Sequence, residues 1–199
     1  MKWNEAAVCF TDALASSEPT PGGGAAAAHT ASMGAALLQM SIQTTLKRKN
    51  ITPEHVQALQ TSAHRVAELK KHFDYCMTQD SQAYERYLWA KKLPKEDFSR
   101  ESEIQNALEK AALVPADTAQ KALLALEELE AITPFISPVI LADAACAKHL
   151  LQAALCCAVE NIRANTPFIK NKKLLENLSQ QVQLFLKSCK EGIYDRKSK

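Results

Sequence analysis

Three of the five glycines in this chain stand side by side, at Gly22, Gly23 and Gly24. They close the run Ser16-Ser17-Glu18-Pro19-Thr20-Pro21-Gly22-Gly23-Gly24, and a stretch so dense in Pro and Gly does not continue a regular helix. Elsewhere breakers are sparse, and Ala, Leu, Gln, Glu and Lys dominate, which favours helix. No convincing period-two alternation occurs, so strands are not expected. The remaining prolines punctuate the pattern. Helices are expected over 1–16, 25–46, 52–92, 100–113, 118–132, 139–165 and 171–191, with Pro115 separating the fourth from the fifth. The expectation is all-α: a single-domain helical bundle of about seven helices. Two of them, 25–46 and 139–165, are long and strongly apolar, as buried or interface helices are.

Bulk properties narrow the class. The chain has 199 residues, enough for one domain with one large core. The 24 Lys and Arg against 22 Asp and Glu leave a net charge of +2, which gives no reason to expect nucleic acid or a membrane as partner. No secretory leader and no apolar run long enough to span a bilayer is evident. The six cysteines, Cys9, Cys76, Cys146, Cys156, Cys157 and Cys189, show no CxxC pairing. No metal site is therefore expected. Cys146, Cys156 and Cys157 read as small buried hydrophobes. Free thiols without a leader point to the cytoplasm.

A glycine run directly before a helix serves one of two purposes. Lacking Cβ, it permits positive φ or lets another backbone or a ligand approach closely. The free N–H groups of the following helix start can also hold an anion or a polar ring. No Gly-Lys-Ser/Thr ending and no preceding strand is present, so neither a phosphate loop nor a dinucleotide fingerprint fits. On spacing alone, a tight connection with close helix packing is the favoured reading of the run.

The run is followed by Gly34-Ala35-Ala36-Leu37 and Met40, and further on by Asp80-Ser81-Gln82-Ala83-Tyr84, Leu93-Pro94-Lys95, Arg100, Ile104, Val114-Pro115, Asp143 and the pair Asn161 and Asn165. In this order and spacing, residues 16–166 resemble the formiminotetrahydrofolate cyclodeaminase and methenyltetrahydrofolate cyclohydrolase family. Ala25 and Ala142 stand where the family often has Ser. Pro134 to Leu141 replaces an Asn-rich segment, and the loop from Lys95 to Arg100 is short. The resemblance implies an enzyme of folate one-carbon metabolism acting on the N5/N10 one-carbon bridge of tetrahydrofolate, with release of ammonia or by hydrolysis. No cofactor is implied beyond the tetrahydrofolate substrate. It also implies a homodimer, and two nearly charge-free helices carry more apolar surface than one small domain covers. The alternative is a non-catalytic folate-binding or interaction protein on the same scaffold.

Either reaction needs proton transfer through a tetrahedral intermediate, the work of a positioned carboxylate. Asp80 is the first candidate, on one helix face with Tyr84 and Tyr87. Its rival reading is a solvated or ion-paired Asp. Asp143 is the second, with helix capping as its rival. Substrate contacts are expected from Pro21, Gly22, Gly23, Gly24, His29 and Tyr84. Lys92, Lys95 and Arg100 would hold the glutamate tail of the folate or form a charged exposed loop. Asn161 and Asn165 either hydrogen-bond the pterin or bridge helices, with bridging favoured for Asn165. His55, His64, His72 and His149 read as surface or core residues.

Overall fold

The computed structural model describes residues 3–49 and 51–194. It contains α1 (Trp3–Ala15), α2 (Gly23–Leu46), α3 (Pro53–Lys92), α4 (Arg100–Ile132), α5 (Leu141–Asn165) and α6 (Lys172–Tyr194). Three one-turn 3-10 helices interrupt the connections, at Thr133–Phe135, Pro138–Ile140 and Thr166–Phe168. Among the described residues no strand occurs. The all-α class agrees with the sequence, with six α-helices rather than seven. The expected start of the first helix at Met1 lies outside the described residues.

Four helices close a ring: α2 packs on α3 and α5, and α4 packs on the same two. α6 lies against α5 and α4. Leu38, Ile42, Leu59, Val66, Phe73, Leu151, Leu155, Ile162, Leu178 and Phe185 are fully buried in this core. Each such side chain contributes about 1.5–3 kcal/mol by leaving water. The α2–α5 pair is tight because its contact residues are small. A Cβ at Gly34 would stand 2.8 Å from Leu151 Cγ and 3.2 Å from the Ala147 carbonyl oxygen.

α3 has the boundaries its sequence signals. Thr52 caps its start, accepting from the His55 N–H at 3.4 Å, and Pro53 occupies the first turn. Lys91 and Lys92 stand in the last turn, where the helix dipole favours cations. The Arg100 guanidinium then donates to the carbonyls of Leu93 (3.1 Å) and Lys91 (3.3 Å). These bonds satisfy exposed acceptors at the α3 terminus and fold α3 onto α4. Residues 84–104 form a helical hairpin extending past the start of α2.

The expected break at Pro115 does not occur: α4 runs through it unbroken. An interior proline orphans the carbonyl four residues earlier, here that of Ala111. The Asn165 side-chain amide donates to that oxygen at 2.9 Å. The bond replaces the one Pro115 cannot make and ties the end of α5 to the middle of α4.

One further expectation needs correction. Cys146 and Cys157 are exposed on the outward face of α5, while Cys156 is half-buried and packs against the core. Of the two helices expected to be strongly apolar, one is conspicuous: an 18-residue stretch within Pro138–Phe168 has mean hydropathy 1.4, and the helix is long and apolar enough to cross a membrane by length and composition alone. In the fold it packs among α2, α4 and α6. The 134–141 segment is held at Ser137, whose N–H donates to Thr45 Oγ1 (3.1 Å) and whose hydroxyl accepts from Arg48 (2.6 Å).

The Asn165–Ala111 bond makes a measurable coupling. Asn165→Ala should cost about 1–3 kcal/mol in urea unfolding, the penalty of an unsatisfied buried acceptor. In a Pro115→Ala background the restored backbone N–H reaches Ala111, and the same substitution should cost under about 1 kcal/mol. Equal costs in the two backgrounds would contradict this account of why α4 survives its proline.

Candidate active site

α2 begins two residues earlier than expected, with Gly22 as its cap and Gly23 and Gly24 already helical. Gly22 is extended, with φ −117° and ψ −160°. Among the described residues no glycine has positive φ. The run therefore serves for space, not for a left-handed turn. The first intrahelical bond goes from the Ala26 N–H to the Gly22 carbonyl, at 3.0 Å. The N–H groups of Gly23, Gly24 and Ala25 precede it and need acceptors from outside the helix.

Asp80 supplies one. Its Oδ2 accepts from the Ala25 N–H at 2.8 Å. Its Oδ1 lies only 2.0 Å from where a Cβ on Gly24 would stand. The carboxylate thus fills the volume that any side chain at position 24 would claim. On the other flank, a Cβ at Gly23 would meet Asn161 Oδ1 at 3.1 Å and Nδ2 at 3.2 Å. Asn161 Nδ2 donates to the Cys157 carbonyl one turn back on α5, at 2.8 Å, which fixes the amide's orientation. Three helices thus converge on the glycines: α2 by its backbone, α3 by Asp80 and α5 by Asn161.

Burial pushes the Asp80 carboxyl above its ordinary value of 3.8, and the Ala25 N–H pulls it back only in part. The positive end of the α2 dipole also favours an anion here. A carboxyl group with a raised proton affinity, held by a backbone donor, is equipped to take and return a proton.

The other expected residues fall in several places. Pro21 precedes the site through a cis Thr20–Pro21 bond. His29 lies one turn beyond Ala25, its ring centroid 4.6 Å from that of Phe10 on α1 and tilted 53° to it. Tyr84 lies one turn from Asp80 toward the hairpin tip, exposed, with its ring 6.2 Å from that of Tyr87. Lys92 and Lys95 are exposed at that tip; Lys92 is twelve residues from Asp80, about 18 Å along the helix. Arg100 is committed to closing the hairpin and Asn165 to Ala111. Asp143 lies in the first turn of α5. No side-chain bond caps that helix start. Asp143 is eighteen residues from Asn161 on the same helix, about 27 Å at 1.5 Å per residue. Within one chain it does not join Asp80.

None of the four described grooves includes Asp80, Gly23 or Asn161. One of about 620 Å³ lies between α3 and α4, lined by His64, Leu69, His72, Lys121 and Leu124 among others. Sequence reading also missed a cluster of His72, Cys76 and Asp117 on the same pair of helices. The only early signal was the one-turn spacing of His72 and Cys76, because Asp117 comes from a different helix.

The glycines differ in what they tolerate. At Gly22 the nearest atom to an added Cβ is the Pro19 carbonyl oxygen at 3.8 Å. Gly22→Ala should therefore change stability by no more than about 0.5 kcal/mol. Gly24→Ala drives a methyl into the Asp80 carboxylate. The helix-propensity gain of up to about 1 kcal/mol is outweighed, and a net loss of about 1–3 kcal/mol is expected. Denaturant unfolding of both variants measures this, and equal effects would contradict the packing role of Gly24.

Comparisons with known proteins bear on the family and the fold. The sequence profile of the formiminotransferase-cyclodeaminase family matches residues 7–184. A methenyltetrahydrofolate cyclohydrolase of Methylorubrum extorquens is 29% identical over 98% of this chain and 97% of its own. A formimidoyltransferase-cyclodeaminase of Gallus gallus is 29% identical over 92% of this chain, which spans only 34% of that longer protein. The crystal structure of a formiminotetrahydrofolate cyclodeaminase from Thermotoga maritima superimposes with a TM-score of 0.82 over 96% of this chain and 91% of its own, at 23% identity. With its helical ring, its glycine-run helix start and a profile match over most of its length, this chain belongs to the formiminotransferase-cyclodeaminase family.

Proposed function

We propose that this chain is an enzyme of folate one-carbon metabolism that hydrolyses the methenyl bridge between N5 and N10 of tetrahydrofolate, with Asp80 as the acid–base residue. One observation carries the reading: a half-buried carboxyl group with raised proton affinity is held by the Ala25 N–H at the start of a helix that opens in glycine. The relative matched end to end is a methenyltetrahydrofolate cyclohydrolase, which favours hydrolysis. The fold match to a formiminotetrahydrofolate cyclodeaminase favours ammonia release from the formimino compound as the second reading.

In the hydrolytic reading the chemistry is short. Asp80 takes a proton from water as its oxygen bonds to the bridging carbon. It then returns that proton to N5 as the carbon–N5 bond breaks, and the hydroxyl on the bridging carbon loses its proton to solvent, leaving the formyl group on N10. The ionised carboxylate also offsets the positive charge of the methenyl bridge. Asp80 and Asn161 fill the space that side chains at 24 and 23 would claim, and the remaining N–H groups at the start of α2 are the donors left for the ring system. Tyr84 and Tyr87 continue from Asp80 toward Lys92 and Lys95, a track that an extended pterin-aminobenzoyl-glutamate can follow.

The functional unit in this proposal is a homodimer. Met33 and Met40, seven residues apart on α2, are 41% and 40% exposed. Cys146, Ala153 and Cys157 are exposed on α5, and only 28% of the 18-residue apolar stretch within Pro138–Phe168 is buried. A second copy covering this face would supply the burial one chain lacks. Asp143 can serve the Asp80 site only if another copy brings it there.

Asp80→Asn tests the assignment by activity and stability together. Loss of methenyl absorbance should slow by about 10²–10⁴-fold. Stability should move the other way. A carboxyl whose folded proton affinity is raised binds its proton more tightly in the folded chain. Its contribution to stability is present below about pH 3.8 and is lost as pH rises through the raised folded value. At neutral pH the variant should therefore be at least as stable as the parent, with the difference closing as pH falls toward 3.8. Full activity in the variant would remove Asp80 from the mechanism. Offering the formimino and methenyl compounds side by side separates the two reactions.

A further inference from the structure

His72 and Cys76 stand one turn apart on α3, and Asp117 faces them from α4. An imidazole nitrogen, a thiol sulfur and a carboxylate oxygen there all lie within 4.8 Å of one another. His72 Nε2 and Asp117 Oδ2 are in direct hydrogen-bond contact. We propose that His72, Cys76 and Asp117 form a binding site for a borderline divalent cation of the Zn²⁺ class, clamping α3 to α4 one helical turn from Asp80. The site is separate from the folate chemistry and stands without it.

The donor set selects the ion. Mg²⁺ and Ca²⁺ require oxygen ligands throughout, whereas one nitrogen, one sulfur and one oxygen suit Zn²⁺ or Co²⁺. Ligands about 2.0–2.3 Å from a tetrahedral ion lie roughly 3.3–3.8 Å from one another. A cluster already within 4.8 Å needs only small side-chain movements to reach that geometry. Three protein donors leave a fourth position for water. The ion has a way in, because the side chains of His72 and Asp117 are 32% and 45% exposed and His72 lines the 620 Å³ groove. Cys76 closes the inner side, buried against Ala28 and Val114.

Binding is an exchange of a proton for a metal bond. Cys76 Sγ gives its proton to solvent and bonds the cation. His72 Nε2 and Asp117 Oδ2 turn from each other to the ion. A nucleophilic Cys–His–Asp arrangement does not fit these residues. Cys76 is only 2% exposed, and burial pushes its thiol above the ordinary range, the opposite of an activated cysteine.

The test is titration of the metal-free full chain with CoCl₂, followed by absorbance. The expected result is one equivalent bound, with a thiolate-to-cobalt charge-transfer band and visible bands of tetrahedral intensity, both displaced by ZnCl₂. Cys76→Ser should abolish the charge-transfer band, and His72→Ala should weaken cobalt affinity at least tenfold. If Cys76→Ser fails to fold by circular dichroism, Asp117→Asn decides the matter, because it keeps size and thiol while removing a charged ligand. A drop of tenfold or more in its cobalt affinity supports the site, and a smaller change overturns it. No stoichiometric band in the parent, or a band unchanged in folded Cys76→Ser, overturns it as well.

Discussion

The Asp80 carboxylate occupies the place where a side chain at residue 24 would be, and it holds the Ala25 N–H that the start of α2 cannot satisfy by itself. These are two sides of one contact. Without glycine at 24 the carboxylate has no room, and without Asp80 a buried helix start loses an acceptor. The contact fixes how far α2 enters between α3 and α5, and with it where Asn161 meets Gly23. The ring of four helices keeps this end of the bundle tight, while the α3–α4 hairpin extends beyond it.

The contact comes at an energetic cost. Burial opposes the ionised form of Asp80, and one backbone hydrogen bond does not fully offset it. A site selected for stability alone would place a neutral amide here. Retaining a strained carboxyl group is what a proton-transfer role requires. Elsewhere two awkward carbonyl ends find partners: Asn165 serves the carbonyl that Pro115 orphans, and Arg100 serves the end of α3.

Much of this was legible in the sequence, for local reasons. Thr52-Pro53 and Leu93-Pro94 marked both ends of α3, because capping and proline stops are decided within a few residues. What was not legible depended on distant partners. Pro115 read as a break because Asn165, which repairs its neighbour's bonding, comes fifty residues later. The glycine run read as free backbone conformation or close approach, and only the position of Asp80 on another helix showed that space is the reason. The exposure of Cys146 and Cys157 was missed because an Ala- and Leu-rich helix reads as buried on every side, whether or not a neighbour covers each face. His72 and Cys76 lacked the third donor that α4 brings to them.

The central claim is that Asp80 is a proton-transferring carboxyl group at the folate site. Its titration can be followed directly by carbon NMR on aspartate-labelled protein, assigned with Asp80→Asn, with and without a saturating folate. The account predicts a carboxyl resonance that titrates above the ordinary aspartate value of 3.8 and shifts when folate binds. A resonance that titrates at that ordinary value and ignores the ligand would contradict it.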